Sequence, residues 1–168
     1  QILFNKDCGL LAHPSSLPNR FGIGDFGPSS IQWIEALAAH GQNTWQILPL
    51  NPAGYGDSPY QGLSAFAANP VFISPEDLHA RGLIDEPELM ALQVPLGERV
   101  DYAQVYSNKT ELTTRAALQF FSLEADHPLR IHYNAFCQTE SNWLKAFALF
   151  SALKANFCLL YTSDAADD

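Results

Sequence analysis

A proline- and glycine-rich stretch between Pro49 and Pro70 constrains the fold of this chain more than its other segments do. Prolines at both ends and inside the stretch fix φ and remove backbone donors, so neither a helix nor a central strand can run through it. The stretch follows Thr44–Leu48, an apolar run rich in branched and aromatic residues that predicts a buried strand. A long loop without periodicity is uncommon in a compact domain unless it has a function. We therefore predict a functional loop at the end of a strand.

The side chains of this loop suit the binding of sugars. Aromatic residues offer flat faces that can stack on the C–H-lined faces of sugar rings. Short polar side chains lie between them and can hydrogen-bond to hydroxyl groups. The aromatic set is Tyr55, Tyr60 and Phe66, and the polar set is Asp57, Ser58, Gln61, Ser64 and Asn69.

Composition narrows the class of protein. A chain of 168 residues with 47% hydrophobic and 16% charged residues predicts one globular domain. Its net charge of −9 argues against binding to nucleic acid or to an anionic membrane surface. The cysteines, Cys8, Cys137 and Cys158, are widely spaced and form no CxxC pair, which indicates reduced thiols, a cytoplasmic setting and no zinc site. No apolar run approaches membrane-spanning length.

The first part of the chain predicts a βαβ unit. Cys8–Ala12 is a short apolar run, and Pro28 suits the first position of a helix that Gly41 would end. Ile31, Ile34, Leu37 and Ala38 share one face of that helix, with Trp33 beside them. Since Thr44–Leu48 follows, we expect two adjacent parallel strands with the helix packed outside them.

A GxGxxG pattern lies between the first strand and this helix, in Gly22-Ile23-Gly24-Asp25-Phe26-Gly27. In a dinucleotide-binding loop these glycines follow a strand directly. Here Pro14 and Pro18 intervene, and Asp25 would bring a carboxylate towards the phosphate. A tight structural turn is the better interpretation, and no cofactor is predicted.

Beyond the loop the chain becomes mostly helical. Val71-Phe72-Ile73 predicts a short strand, and Ser74 predicts the start of a short helix that Gly82 ends. A further short helix is expected after Asp85, and Pro95–Tyr106 is expected to be a loop.

The last predicted helices are longer. Asn108 and Glu111 have the spacing of a capping box, and the apolar face that follows consists of Leu112, Ala116, Phe120 and Leu123. A final helical region from Ile131 to Asn156 is expected to break near Ser141, with Trp143, Phe147 and Phe150 as its stripe. We thus expect βα units with the site loop over residues 1–75 and a helical insertion over residues 76–156.

Two blocks of this sequence resemble a known enzyme family. GLLAHPSSLPNRFGIGDFGPSS and TWQILPLNPAGYGDSPYQGLSAFAANPVFISPEDL are similar to the opening blocks of the amylomaltases, the 4-α-glucanotransferases called disproportionating enzymes in plants. The resemblance implies an α/β fold, the N-terminal part of a (β/α)8 barrel interrupted by a mostly helical insertion. It also implies transfer of a segment of an α-1,4-glucan to another glucan or to glucose.

The resemblance places the catalytic residues outside this sequence. Retaining glycosyl transfer needs a nucleophilic carboxylate and an acid/base carboxylate about 5 Å apart. In the family both lie at later strand ends, so none of the acids here is given a catalytic role. A closed barrel needs roughly 250 residues, and we therefore expect an N-terminal fragment that is inactive alone. A non-catalytic glucan-binding or scaffold module is the alternative.

The resemblance also suggests roles in the loop. It makes Ser58 and Tyr60 sugar contacts near the cleaved bond, and Gln61 and Asn69 further substrate-binding residues. Asp57 joins this set, although an Asp in such a turn more often bonds its own backbone than acts as an acid/base.

Other interpretations of single residues stay open. Gly56-Asp57-Ser58 is also similar to the nucleophile block of GDSL-type hydrolases, but Pro59 and the lack of a Ser-Asp-x-x-His block argue against it. Tyr55 and Tyr106 match a secondary glucan-binding platform, or are packing aromatics.

Three further expectations concern packing and the chain end. His13 is expected to be a structural hydrogen bonder, and Trp33, Trp45 and Trp143 to be core residues. Residues 157–168 break the helical pattern, so we expect them to be non-native or loosely packed; a true helix extension with an acidic tail is the alternative.

Overall fold

The computed structural model describes residues 8–54, 58–95 and 97–157. Two strands and a helix open the chain, short helices follow the site loop, and three longer helices complete it. The elements are β1 (Gly9–Leu11), α1 (Pro28–Ala39), β2 (Thr44–Gln46), α2 (Pro75–Ala80), α3 (Glu86–Ala91), α4 (Tyr102–Ser122), α5 (Pro128–Thr139) and α6 (Leu144–Phe157), with 3-10 turns at Pro14–Ser16 and Pro70–Phe72. Within the described residues, no helix combines the length and apolar character needed to cross a membrane.

The first strands pair as predicted. β1 and β2 are parallel, with Leu10 opposite Trp45, and α1 lies between them in sequence. The ladder continues past β1, since the Ala12 amide donates to the Gln46 carbonyl at 3.1 Å. The indole of Trp45 donates to the Ala12 carbonyl at 2.7 Å. The expectation of a buried strand over Thr44–Leu48 is wrong, because β2 ends at Gln46 and none of its residues is buried. Leu11 in β1 is likewise 60% exposed.

Helix α1 also exposes most of its predicted apolar face. Leu37 is buried, whereas Ile31 and Ile34 are exposed. The described sheet has only the strands β1 and β2, so it offers little surface to cover a helix face.

The core of the described residues lies against α4 instead. Near the start of α4, Val105 packs with residues of the Gly22–Gly27 turn and of the 3-10 turn after Pro70: Ile23, Val71 and Phe72. Further along, Leu112 and Ala116 pack in a second cluster with Phe21, Leu83, Ile84 and Leu89. The predicted face of Leu112, Ala116, Phe120 and Leu123 is confirmed, because all four belong to this cluster or pack against it. Helix α4 therefore joins the two clusters.

Two of the predicted local structures are wrong. Pro70–Phe72 forms a 3-10 turn, because Pro70 has no amide to donate to a sheet and the Asn69 side chain accepts from the Val71 amide at 3.1 Å. Helix α4 begins at Tyr102, where the Asp101 carboxylate caps the amide of Gln104 at 3.1 Å. The loop predicted over Pro95–Tyr106 therefore ends at Asp101.

The predicted capping box of Asn108 and Glu111 is also wrong, since both residues lie inside α4. The short helices expected after Ser74 and after Asp85 are confirmed. Ser74 caps α2, and Gly82 has a φ of 70° after it. Asp85 caps α3 in a capping box with Glu88, which was not predicted.

The last helical region breaks where it was expected, since α5 ends at Thr139 and α6 begins at Leu144. Neither helix has a buried residue. Trp143, Phe147 and Phe150 form an aromatic row, with ring centroids 6.2 and 6.3 Å apart. Trp33, Trp45 and Trp143 are only half-buried, so their assignment to a core is wrong.

Candidate functional site

The site loop folds back on itself as a narrow hairpin. The Asn69 amide donates to the Leu50 carbonyl at 2.7 Å, the Leu63 amide to the Pro52 carbonyl at 2.9 Å, and the Gly54 amide to the Gln61 carbonyl at 2.7 Å. Ala53 and Gly62 form an antiparallel bridge between these bonds. A Cβ at position 62 would overlap the end of the Asn51 side chain, so a larger residue there would displace that side chain.

The tip of the hairpin presents predicted sugar-binding residues to solvent. Tyr60 is 73% exposed, Gln61 is exposed and Ser58 is half-buried. A turn holds them together, because the Gln61 amide donates to the Ser58 carbonyl at 3.1 Å. The structure thus brings Ser58, Tyr60 and Gln61 to one place, while Tyr55 and Asp57 lie outside the described residues.

Asn69 lies at the base of the loop and is 7% exposed. Its side-chain oxygen accepts from the Val71 amide, so part of its hydrogen-bonding capacity is used to cap the turn after Pro70. It nevertheless lines two cavities at the loop base, one beside helix α4 and a smaller one at the carboxyl end of β1.

A groove of about 160 Å³ separates the loop from helix α4. The loop side is formed by prolines and small residues, and the helix side by Tyr106 and residues one or two turns further on. The lining residues are Pro52, Ala53, Asn69, Pro70, Val71, Tyr106, Lys109, Thr110 and Thr113. Tyr106 is half-buried, and its ring lies 6.3 Å from that of Tyr102. The groove therefore combines an aromatic ring, proline rings and threonine side chains.

A smaller cavity of about 30 Å³ lies under the same loop, at the carboxyl end of β1. His13 and Asn51 both line it, and their Nδ1 and Oδ1 atoms are buried without a hydrogen-bond partner among the described residues. Burial lowers the pKa of the His13 imidazole below its usual range, which favours the neutral ring. The His13 ring packs edge-on against Phe72 at 5.4 Å. The cavity is large enough for one water-sized group.

The GxGxxG segment forms a structural turn, as predicted, and it contains a buried charge that the sequence did not reveal. Asp25 is 0% exposed and Lys109 of α4 is 3% exposed. The ammonium of Lys109 donates to Asp25 Oδ2 at 3.2 Å and to the Ile73 carbonyl at 2.6 Å. The other oxygen of Asp25 accepts from the Gly27 amide at 3.0 Å.

Burial and mutual attraction act against each other in this pair. Burial raises the pKa of the Asp25 carboxyl and lowers the pKa of the Lys109 ammonium, and the attraction between the two charges offsets part of each shift. One sequence signal could have identified the buried lysine. Lys109 falls between Val105, Leu112 and Ala116 at helical spacing, so it lies on the buried face of α4.

No group of three or more His, Cys, Asp or Glu side chains that could hold a metal ion occurs among the residues of ranges 8–54, 58–95 and 97–157.

A family model described as 4-alpha-glucanotransferase, of glycoside hydrolase family 77, matches residues 12–163. This chain belongs to that family. The match extends to residue 163, into the segment 157–168 that was expected to be non-native or loosely packed. Residues 158–168 lie outside the described residues.

Curated members of the family are similar over most of this chain. The 4-alpha-glucanotransferase of Synechocystis is 42% identical over 154 residues, covering 90% of this chain and 30% of the relative. The Thermus thermophilus protein of the same name is 41% identical over 148 residues, covering 87% and 28%. The chloroplastic/amyloplastic protein of Solanum tuberosum is 35% identical over 153 residues, covering 88% and 26%. The chain thus spans about 30% of the length of such 4-alpha-glucanotransferases.

A solved structure is also similar. The amylomaltase from Streptococcus agalactiae, in complex with acarbose, matches with a TM-score of 0.80 and 33% identity, covering 90% of this chain and 30% of that one. This chain therefore shares, over the matched part, the fold of the corresponding part of that amylomaltase.

Proposed function

We propose that this chain is the N-terminal part of a 4-α-glucanotransferase that moves segments of α-1,4-glucans to another glucan or to glucose with retention of configuration. In this proposal β1 and β2 are the first strands of a (β/α)8 barrel, and α2 to α6 belong to an insertion on its rim. The nucleophile and the acid/base carboxylate come from the part of the family's length that this chain does not span. No cofactor, nucleic acid or membrane takes part in the reaction.

The single observation that carries the proposal is the position of the site loop relative to the parallel strands. Active sites of (β/α)8 enzymes lie at the carboxyl ends of the strands. His13 follows β1, Pro49 follows β2, and both residues line the same small cavity. The loop that carries Ser58, Tyr60 and Gln61 therefore starts at the edge where a barrel would place its substrate.

The residues at the loop tip have roles that follow from their chemistry. Tyr60 offers a large exposed ring on which a sugar can stack, and Ser58 and Gln61 offer hydrogen bonds to its hydroxyl groups. Asp57 and Asn69 are proposed to support the same subsite, Asn69 through the loop base that it caps.

The groove beside α4 suits a second stretch of glucan. Glucose rings have apolar C–H faces and polar edges, and the groove offers Tyr106 and Pro70 for the faces and Thr110 for the edges. We assign this groove, together with Tyr55 of the loop, as a secondary glucan-binding platform away from the cleaved bond. We place the protein in the cytoplasm, where the thiols of Cys8 and Cys137, both free in the structure, would stay reduced.

Substitution of Tyr60 tests the proposal in the full-length protein. Tyr60→Ala is expected to lower transfer between short malto-oligosaccharides by about tenfold to a hundredfold, the scale of a lost positioning contact. Tyr60→Phe separates the ring from its hydroxyl, because it keeps the stacking face. Tyr133→Ala, an exposed tyrosine of α5, is the matched control and should leave transfer unchanged. Wild-type short-donor kinetics in Tyr60→Ala would place the loop outside the active site.

The platform is tested separately with Tyr55→Ala and Tyr106→Ala. Both should weaken binding of long glucans and change the range of product sizes, with short-donor transfer nearly unchanged. A protein that binds glucan but transfers none, at full length, would instead support the non-catalytic glucan-binding module.

A further inference from the structure

The buried pair of Asp25 and Lys109 joins three parts of the molecule at one point. Asp25 belongs to the Gly22–Gly27 turn, Lys109 belongs to α4, and the Ile73 carbonyl that also accepts from Lys109 closes the turn after the site loop. One ammonium group thus connects the turn, the loop end and the helix. No described residue other than Asp25 forms an ion pair with Lys109.

The Gly22–Gly27 turn is a fixed support for this connection. A Cβ on Gly24 would overlap the Pro14 carbonyl, and a Cβ on Gly27 would overlap the Ser74 side chain. The Phe26 amide donates to the Phe72 carbonyl at 3.1 Å, and the Ser30 hydroxyl donates to the Asp25 carbonyl. The backbone around Asp25 is therefore fixed by contacts that do not involve Lys109.

Stability alone is a weak explanation for such a pair. Removing two charges from water has a large desolvation cost, and replacing a buried ion pair by apolar side chains of similar volume is often neutral or stabilising. An ion pair does, however, supply direction, because its hydrogen bonds set both the rotation and the height of one element against another. Apolar contacts are non-directional and fix these less sharply.

The part of α4 whose position is set in this way forms one wall of the groove. Tyr102, Tyr106 and Lys109 follow each other at helical spacing, so all three lie on one side of α4. Lys109 and Tyr106 both line the groove, and Pro70 on the opposite wall is three residues before Ile73. Any rotation or slide of α4 about Lys109 would change the distance between Tyr106 and Pro70.

We infer that Asp25 and Lys109 are positioning residues for glucan binding: their buried pair sets the register of α4 against the site loop, and so the width of the groove beside Tyr106. This inference rests on the proposed function of the groove. Neither residue needs to touch the sugar for the effect.

The test uses the full-length protein and measures binding of maltoheptaose and of longer amylose by calorimetry, alongside the thermal unfolding midpoint. Asp25→Leu/Lys109→Met removes both charges together and leaves none unpaired. It should shift the unfolding midpoint by no more than about 3 °C while weakening binding by about tenfold. Arg20→Met/Glu76→Gln is the matched control, because it removes an exposed ion pair of 2.8 Å beside the same turn. It should leave binding at the wild-type value.

Tyr106→Ala tests the assignment of the groove as a glucan site separately from the positioning role of the buried pair. If Tyr106→Ala weakens binding and the double variant binds like the wild type, the positioning role is wrong and the groove assignment stands. If Tyr106→Ala itself binds like the wild type, the groove is not a glucan site and the positioning role falls with it. Binding and unfolding midpoint that fall in step across all variants would mean a purely structural pair.

A second variant covers failure of the double variant to fold. Asp25→Glu keeps both charges and lengthens the connection by one methylene, so it should move α4 and weaken maltoheptaose binding several-fold. The distance between the Tyr106 ring and Pro70, followed by nuclear Overhauser effects, should change in the same variant. An unchanged distance and unchanged binding in folded Asp25→Glu would overturn the inference.

Discussion

The strand unit (β1, β2 and α1) and the α4 region (α4 with the turns and short helices around it) differ in how much of their apolar surface is buried. In the strand unit, β1, β2 and α1 contribute only Leu37 and Ser30 to the buried residues, while Leu11 and Ile34 stay exposed. In the α4 region, Val105, Leu112 and other apolar residues lie in continuous clusters with the turns and short helices around them. The strands and the helix that open the chain are therefore less buried than the elements of the α4 region.

The difference shows where this part of the molecule obtains its stability. Apolar burial is the dominant favourable contribution to folding, so most of it comes from α4 and its neighbours. The strand unit carries the site loop, yet most of its apolar side chains are exposed. The remaining strands and helices of the proposed barrel would cover them. Three tests break or sharpen this comparison, from the largest expected effect to the smallest.

Lys109→Met should have the largest effect on stability. It leaves the Asp25 carboxylate buried without its partner, which typically costs about 3–5 kcal/mol of unfolding free energy. Denaturant unfolding at neutral pH measures the loss. Arg115→Met, which removes exposed pairs with Glu88 and Glu111, should cost far less, because solvent screens exposed ion pairs. Similar losses in both variants would contradict a special status for the buried pair.

Leu112→Ala and Ile34→Ala compare the two regions directly. Leu112 is 3% exposed inside its cluster, so its truncation should cost about 3 kcal/mol in the 168-residue chain. Ile34 is 51% exposed, and its truncation should cost less than about 1 kcal/mol. Extending the polypeptide to the length of its relatives should raise the cost at Ile34 and leave that at Leu112 unchanged. An equal cost at Ile34 in both lengths would argue that nothing further covers α1.

His13 should give the smallest effect, as a dependence of stability on pH. Its pKa in the folded protein lies below the usual value of about 6.5, so the unfolded chain binds more protons and the unfolding free energy rises with pH. The contribution is complete above about pH 6.5 and is lost as the pH falls towards the lowered pKa. His13→Gln should flatten this part of the profile, measured by urea unfolding beside His132→Gln, an exposed histidine. A steeper slope in His13→Gln would reverse the assignment.

Local signals in the sequence predicted most of the helices. Ser74, Gly82 and Asp85 act on atoms within a few residues of themselves, so their effect can be predicted without the fold. The parallel strands followed from the βαβ order in the same way. The failures come from competition between signals: Asp101 captures the start of α4 that Asn108 was expected to make.

The candidate site shows the same difference between features set by local sequence and features set by contacts distant in sequence. The loop could be predicted, because prolines and glycines decide backbone shape locally, whereas the exposure of Tyr60 at its tip was not predicted. The link between Asp25 and Lys109 spans 84 positions and depends on which helix meets which turn, so composition alone could not predict it. The burial of the strands was misjudged for a related reason, since an apolar run shows what a strand prefers and not what covers it.

One contact between the site loop and the last helices has an optical consequence. Phe66 of the loop stacks on Trp143 with ring centroids 5.9 Å apart and planes inclined by 22°. The indole of Trp143 also donates to the Glu140 carboxylate at 2.5 Å, which anchors the ring from the other side. Any movement of Phe66 changes the surroundings of the Trp143 indole, whereas Trp45 lies in β2 just before the loop and Trp33 lies in α1. With Trp33 and Trp45 replaced by phenylalanine, the emission of Trp143 is therefore an intrinsic gauge of the position of Phe66 when glucan is added.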